Sequence, residues 1–586
     1  MSSEIKTYLI EDHRVSGITD EILVGVKKSV STSNIQKYKQ ISNSTTSTLF
    51  NITVPSENTL VDRHIKISGT IQLRVKLLTQ QAVVPIVCVP SSFPLNTALN
   101  NVVATINNTT VKCSSQDVSE IIKKQYSQRF LSQHVQTTPS YVDKYFGSVD
   151  QAAQDNKPGS YMSGILMAEK DSDTIGRADS KIKLSLVPDN SNVYYTVALT
   201  NVNGVLTLPA TSGTQGVGVG TYYLNISLPV SEPILGLPCF ELKSEEACFV
   251  GVNAMEINLL YNDFSRVFYV NEAMKTAMGN NKFEANGNFL DESCSVVVNY
   301  LSLHASDYAK MSVKNVIPYN EFVSYKTPLT RDGTAVANNF SISSNQVQLR
   351  QIPDKIYINV GPTFAAKPIA ASNHLSFPIK NIKVSFNNRS NLLAELNQDD
   401  LYELSRRNGN HQAYSEFCGK VVDSANKSYI GLGSYLCLDP VRDLSLDDYL
   451  SSGSIGTFAL QIDVECLPID TSSAIGINFN NTVLPVQLNI VCSYGGVLIT
   501  QQGSSATMSG LLTKVLVLES KDQGNAVGDF ESVETVKGGN LGNGLTSFRN
   551  HLKKTGQMSS KLKALKEEVG GRYNLSGGTS KLSKYI

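Results

Sequence analysis

Between His64 and Leu77 the chain alternates without interruption. Ile65, Ile67, Ile71, Leu73, Val75 and Leu77 fall on one parity, and Lys66, Ser68, Thr70, Gln72, Arg74 and Lys76 on the other. Gly69 fills the remaining place on the apolar side. A period of two this long belongs to a strand with one buried face and one wet or paired face. A helix would scatter the same residues around its axis. Gly69 marks either a bulge or a close backbone approach.

Further strands are expected at Lys181–Val187, Tyr222–Leu228, Ala247–Leu260 and Ser295–Leu303. A second block starts near residue 320, with Val347–Leu349, Lys355–Val360, Ile379–Phe386, Thr457–Cys466, Val486–Cys492 and Val497–Thr500. Helical pattern is confined to Asp117–Arg129, Glu272–Met278, Asp399–Arg406 and a basic amphipathic stretch at Ser559–Val569. No regular strand–helix alternation occurs, which excludes a doubly wound sheet. The expected fold is all-β: two tandem antiparallel sandwiches with long loops, a few short helices and a basic tail. Periodicity alone does not separate jelly-roll from immunoglobulin-like topology. The expected division is an N-terminal arm (1–44), a first sandwich (45–315), a second (316–520), and a linker with tail (521–586).

The chain of 586 residues is 41% hydrophobic and 17% charged, enough apolar material for a large core. Its formal charge of zero hides an asymmetry. Residues 545–586 hold nine Lys/Arg and two Glu, a net of +7, leaving −7 for the rest. Only this tail is suited to a polyanion. The nine cysteines form no CxxC pair and several sit in strand-like runs, which reads as buried free thiols made in a reducing compartment. No secretory signal or membrane-spanning run is visible.

Five stretches carry a resemblance. They are Val54–Arg63; Phe93-Pro94-Leu95-Asn96 leading to Ala104-Thr105-Ile106-Asn107-Asn108; and Leu349–Ile358. The fourth runs from Asn391-Leu392-Leu393 through Leu401–Ser405 and Asn408-Gly409 to Tyr414-Ser415-Glu416-Phe417-Cys418-Gly419. The last joins Gly431–Asp439, Asp443–Leu446 and Gly456–Gln461. In this order the chain resembles the double jelly-roll major capsid proteins of virophages and polinton-like viruses. The resemblance implies two jelly rolls with strands normal to a shell. It also implies a homotrimer that looks hexagonal from outside, tiles an icosahedral capsid and meets penton and minor capsid proteins. The alternative is a minor capsid, fibre or carbohydrate-binding β-sandwich protein.

No catalytic, cofactor or metal site is nominated. Gly213–Gly220 lacks the lysine and following helix of a phosphate loop and reads as a surface loop. Asp399-Asp400 and Asp447-Asp448 read as helix caps or solvated faces rather than catalytic pairs. His411, Cys418 and Cys437 lack the tight ligand spacing of a metal site. The tail has three readings: contact with packaged DNA, docking on another capsid protein, or removal by a viral maturation protease. Gly538-Gly539 and Gly570-Gly571 would suit such a protease; Gly570-Gly571 also serves as a helix stop. The expected location is the virion shell, after synthesis in the host cytoplasm.

Overall fold

The computed structural model describes residues 32–509, apart from 57–58, 80–82, 85–87, 91–92, 128–129, 132–133, 135–182, 189–194, 198–205, 208–219, 238–247, 271–277, 280, 304–313, 332–338, 364–375, 419, 423–427, 431–432, 447–449, 468–483 and 502. Expectations for Gly213–Val219, Glu272–Ala277, Asp447-Asp448, Ser559–Val569 and the glycines 538, 539, 570 and 571 lie outside these residues.

Eight strands form the framework of the first sandwich: β1 (Thr32–Asn43), β2 (Ser47–Thr53), β3 (Lys66–Thr79), β4 (Leu99–Ile106), β5 (Thr109–Cys113), β6 (Gly220–Pro233), β7 (Ala254–Tyr261) and β8 (Ser295–Ser302); four further strands, Thr59–Val61, Lys183–Pro188, Tyr195–Val197 and Glu284–Leu290, join them. The second has β9 (Lys314–Arg331), β10 in two pieces (Phe340–Ser343 and Val347–Gln351), β11 (Lys355–Pro362) and β12 (Ile379–Phe386). It continues with β13 (Arg389–Leu392), β14 (Leu436–Leu438), β15 (Ile455–Cys466) and β16 (Leu484–Gln501). The first sandwich pairs β1-β8-β3-β6 and β2-β7-β4-β5. The second pairs β9-β16-β11-β14 and β10-β15-β12-β13. Adding eight to each label of the first set gives the second. Both halves have the jelly-roll order, with every ladder antiparallel.

The alternating stretch is β3. Ile67, Ile71, Leu73, Val75 and Leu77 are buried in the first core. Gly69 is a close approach: a Cβ there would lie 3.0 Å from the Cβ of Cys294, and its ladder to β6 runs through Val230 without a shift. The repeated topology reaches into turns. Asn107-Asn108 joins β4 to β5, and Asn387-Asn388 joins β12 to β13. Asn107 and Asn387 take φ of 51° and 53°, the left-handed region that asparagine tolerates. The Asn107 side chain accepts from Asn253 N–H (2.9 Å), and the Asn387 side chain accepts from Ala459 N–H (2.8 Å). Each ties its hairpin to the neighbouring seventh strand.

Several boundaries differ from the sequence reading. Residues 32–43 of the expected arm (1–44) form β1, which pairs with β8 up to Lys39 and with β2 from Gln40, across a shift between Gln40 and Ser42. This strand therefore turns the corner between the two sheets. Ala247–Leu260 is a strand only from Ala254; Phe249 ahead of it makes one bridge to Val61, and the chain turns at Gly251. β9 starts at Lys314, ahead of the expected onset. Val486–Cys492 and Val497–Thr500 are one strand, β16, held along its full length by β9. Its glycines do not break the ladder, which runs through Gly495 and Gly496, and a Cβ on Gly495 would displace the Asp354 carboxylate, whose Oδ2 would lie 2.7 Å away.

Of the helices, α1 (Pro94–Ala98) starts over a buried carboxylate. Glu232 accepts from Leu95 N–H, Asn96 N–H and the Asn96 side-chain amide at 3.0–3.2 Å. Burial outweighs these bonds and pushes Glu232 up to about 7. Then follow α2 (Ser115–Gln125), α3 (Gln398–Arg407), α4 (Tyr414–Phe417) and α5 (Pro440–Asp443). α3 matches the expected Asp399–Arg406 and carries a capping box from Asn397 and Asp400.

Ile71→Asp or Val75→Asp places an unpaired charge in the first core and should cost more than about 4 kcal/mol, abolishing soluble folded protein. Soluble yield and circular dichroism check this, and a folded Ile71→Asp protein would mean the strand faces are assigned wrongly. Glu232 supplies a pH test. Its folded pKa lies above the ordinary carboxylate value. Its stabilising contribution is therefore present below about pH 4.5 and is lost as pH rises through about 7, by up to about 3 kcal/mol. Urea unfolding across this window should show the loss in the native chain and a flatter profile in Glu232→Gln.

Candidate functional site: the seam between the sandwiches

No cluster of catalytic or metal-binding side chains is expected, so the site to be built is the contact between the two halves of the chain. Three strands of the second sandwich lie in register. Ile356 faces Leu438 and Cys492, Tyr357 faces Cys437 and Val491, and Ile358 faces Leu436 and Ile490. The rows through Ile356 and Ile358 point into the second core. The row Cys437–Tyr357–Val491 points the other way and is buried with the core of the first sandwich, together with Ile317, Tyr319 and Leu498. This sheet is covered on both faces, and its strands read as continuous apolar triplets rather than alternating ones.

The cover is α2, which buries Val118 and Ile121 toward its own sandwich. At its C-terminal end Lys124 enters the second half. Its ammonium contacts Glu416 of α4 at 2.5 Å, with both side chains about 5% exposed or less, and lies 4.8 Å from the Tyr435 ring centroid. Burial alone would lower the Lys124 pKa. The Glu416 carboxylate, with Tyr435 and Glu120, more than offsets that and holds it above the ordinary lysine range. The Gln125 side chain donates to Tyr357 Oη (2.6 Å), His411 N–H donates to the Lys124 carbonyl (2.7 Å), and Lys326 of β9 pairs with Asp117 at 2.7 Å. At another point of the seam Thr109 donates to the Ser505 carbonyl (2.6 Å) and Ser505 N–H donates to Asn108 (2.8 Å).

Behind Glu416, the residues around Asn408-Gly409 form a buried polar network. Asn408 donates to the Cys437 carbonyl and to Asp443, while Asn410 donates to Ser405 and to the Tyr435 carbonyl. Gln412 donates to the Gly433 carbonyl and accepts from Tyr435 N–H. These side chains hold the long β13–β14 connection in the shape that delivers Glu416 to Lys124.

The residues weighed for chemistry are placed plainly. Asp399 accepts from the Tyr414 hydroxyl and Asp400 from Asn397 N–H, both in the first turn of α3. His411 is exposed at the seam, Cys418 is half-buried and Cys437 is buried. Among the described residues no three His, Cys, Asp or Glu side chains gather as metal ligands. The seven described cysteines whose side chains are placed are free thiols, and burial pushes those of Cys113, Cys294, Cys437 and Cys492 up to about 12. No helix among the described residues is long and apolar enough to cross a membrane. The sequence reading did not single out Lys124 with Glu416. The two lie 292 residues apart, and no local pattern links them.

Comparison with known proteins gives this geometry a family. The family model "Sputnik virophage major capsid protein 1st domain" matches residues 3–301, more than half of the chain, and "Major capsid protein V20 C-terminal domain" matches 322–496. The putative capsid protein V20 of Sputnik virophage is 22% identical over 484 residues, covering 80% of this chain and 72% of that protein. The cryo-EM structure of the Sputnik virophage superposes with a TM-score of 0.64 at 20% identity, covering 92% of this chain and 99% of that one. The crystal structure of the mavirus major capsid protein gives 0.62 at 14% identity, covering 88% and 98%. The chain belongs to the virophage major capsid protein family, and the seam just described is the internal joint of a viral shell protein.

Proposed function

We propose that this major capsid protein forms a homotrimer that is pseudo-hexagonal from outside and tiles an icosahedral shell alongside penton and minor capsid proteins. The observation that carries the reading is the same eight-strand order occurring twice in one chain. Three copies then supply six equivalent sandwiches, and a contact repeated between identical copies closes into a ring. The working units in this reading are the two sandwiches divided near residue 315, with β1 completing the first and 521–586 as an appended tail. Free thiols throughout the described part support synthesis in the reducing host cytoplasm.

For the tail, proteolytic removal by a viral maturation protease is the reading that a sequence feature favours. Gly538-Gly539 and Gly570-Gly571 sit in glycine- and polar-rich sequence, where a protease reaches the backbone readily. Contact of the +7 segment with packaged DNA and docking on another capsid protein are the other readings, and both require the tail to persist in the particle.

The purified chain should sediment as a species of about 190 kDa, three times 63.7 kDa, and assemble into shells. A stable monomer with affinity for glycans would replace the assembly reading with the carbohydrate-binding one. Mass spectrometry of mature particles should find no peptide ending Lys584-Tyr585-Ile586. Its presence at full stoichiometry would rule out removal of the tail and leave the DNA contact and the docking on another capsid protein.

A further inference from the structure

The internal joint has a twin that lacks its cover. Helices α2 and α3 both follow the fifth strand of their sandwich and both pack on its fourth strand. Laid residue on residue, Asp117 falls on Asp400, Val118 on Leu401, Glu120 on Glu403, Ile121 on Leu404, Lys123 on Arg406 and Lys124 on Arg407. Val118, Ile121, Leu401 and Leu404 are buried. Glu120–Lys123 and Glu403–Arg406 are both i,i+3 ion pairs, at 2.8 and 2.6 Å. The difference is in exposure. Glu120, Lys123 and Lys124 side chains are 8%, 0% and 4% exposed, whereas Glu403, Arg406 and Arg407 are 61%, 58% and 56% exposed.

The surface that covers α2 also has a twin. On the second sandwich Val491 of β16 points outward between Ile490 and Cys492, and Lys326 of β9 stands opposite Asn489, two residues earlier. On the first sandwich Val297 of β8 points outward between Val296 and Val298, and Lys39 of β1 stands opposite Ser295, two residues earlier. The registers coincide. Val491 is 1% exposed under the seam, while Val297 is half-buried and Lys39 exposed. Lys326 pairs with Asp117 Oδ1, whose Oδ2 accepts from the Ser114 hydroxyl at the helix start. Asp400 repeats this second role, its Oδ2 accepting from Asn397 N–H, and no lysine or arginine pairs with it among the described residues.

We propose that α3 of one copy docks on the outer face of β1 and β8 of a second copy, with Asp400 meeting Lys39 as the intermolecular counterpart of Asp117–Lys326. The contact rests on the trimer reading and specifies its surface. Arg407 then lies where Lys124 lies in the internal seam, whereas Lys123 is buried against Thr97 and Phe93 of its own sandwich, and Val297 receives the cover that Val491 already has. The contact is head-to-tail, so copies related by rotation close a ring without a leftover face.

The test uses the full chain as a mixture of ¹⁴N- and ¹⁵N-labelled copies, treated with a zero-length carbodiimide that joins carboxylates to amines in contact. Mass spectrometry should find Asp400 joined to Lys39 in mixed-isotope pairs. Lys39→Glu and Asp400→Lys should each weaken association about tenfold, and the two together should regain most of it. Asp400→Asn, which can still accept from Asn397 N–H, separates loss of the contact from loss of the helix cap. Trimers that form normally, lack this cross-link and tolerate Lys39→Glu would overturn the proposed surface while leaving the trimer standing. A chain that never associates would sink the assembly reading and this contact with it.

Discussion

The architecture depends on one sheet being buried on both faces. β9, β16, β11 and β14 close the second core with Ile356, Ile358, Leu488 and Ile490, and they also present Cys437, Tyr357 and Val491 to the first sandwich. A sheet face carries apolar groups at a density that water does not tolerate, and burial of each large side chain contributes about 1.5–3 kcal/mol. Once that outer row exists, the two sandwiches cannot hang as independent beads on a linker. They share one buried face, which is what a tile needs.

Apolar contact alone would leave the sandwiches free to slide, because the hydrophobic effect has no direction. The Lys124–Glu416 pair supplies direction. Taking both charges out of water costs several kcal/mol each, and their attraction repays this only in good geometry with the remaining polar groups satisfied. Here the Tyr435 ring, the His411 N–H to the Lys124 carbonyl and the network through Asn408, Asn410 and Gln412 supply that geometry. A displaced register would strand a buried ammonium and a buried carboxylate. The pair thus acts as a gauge of alignment more than as a source of stability.

Much of the fold was legible because it is written in periods of two. β3, β12 and β15 alternate cleanly, and α3 declares itself through Asn397, Asp399 and Asp400. Legibility failed where a residue answers to a distant partner. β1 read as an irregular arm because its inward positions are at most half-buried, Asn34 exposed and Gln36, Tyr38 and Gln40 intermediate, so they show no apolar stripe. β16 read as two strands because Gly495-Gly496 interrupts its apolar run, although its ladder to β9 passes through both. The seam itself left a local trace, since Ile356-Tyr357-Ile358, Leu436-Cys437-Leu438 and Ile490-Val491-Cys492 run apolar without alternation, as doubly buried strands do. What the trace cannot say is which helix lies across it. The two tandem sandwiches were legible as two blocks of strands, but the strand-by-strand correspondence between them was not, for Asn107-Asn108 and Asn387-Asn388 share a turn while the strands around them share little but pattern.

The outer faces of the two corresponding sheets differ in chemistry, and the difference follows from what each contact must do. The face within the chain carries Tyr357, Val491 and Cys437 under α2. Its counterpart on the first sandwich carries Ser68, Thr70, Gln72, Asn225, Ser227, Asn299 and Val297 at half-buried outward positions, with the exposed Ile35, Lys37 and Lys39 of β1 beside them. Small hydroxyls and amides are well hydrated, and replacing their water by protein partners gains about 0.5–1.5 kcal/mol per bond. An apolar row of the internal kind would make any contact there close to irreversible at first touch, and a growing shell could not correct a misplaced subunit. Weak polar contacts release and re-form, and become strong only when closure engages many of them together. The covalent link between the sandwiches makes reversibility useless at the internal seam, so the apolar residues are concentrated there and kept sparse on the face that looks outward.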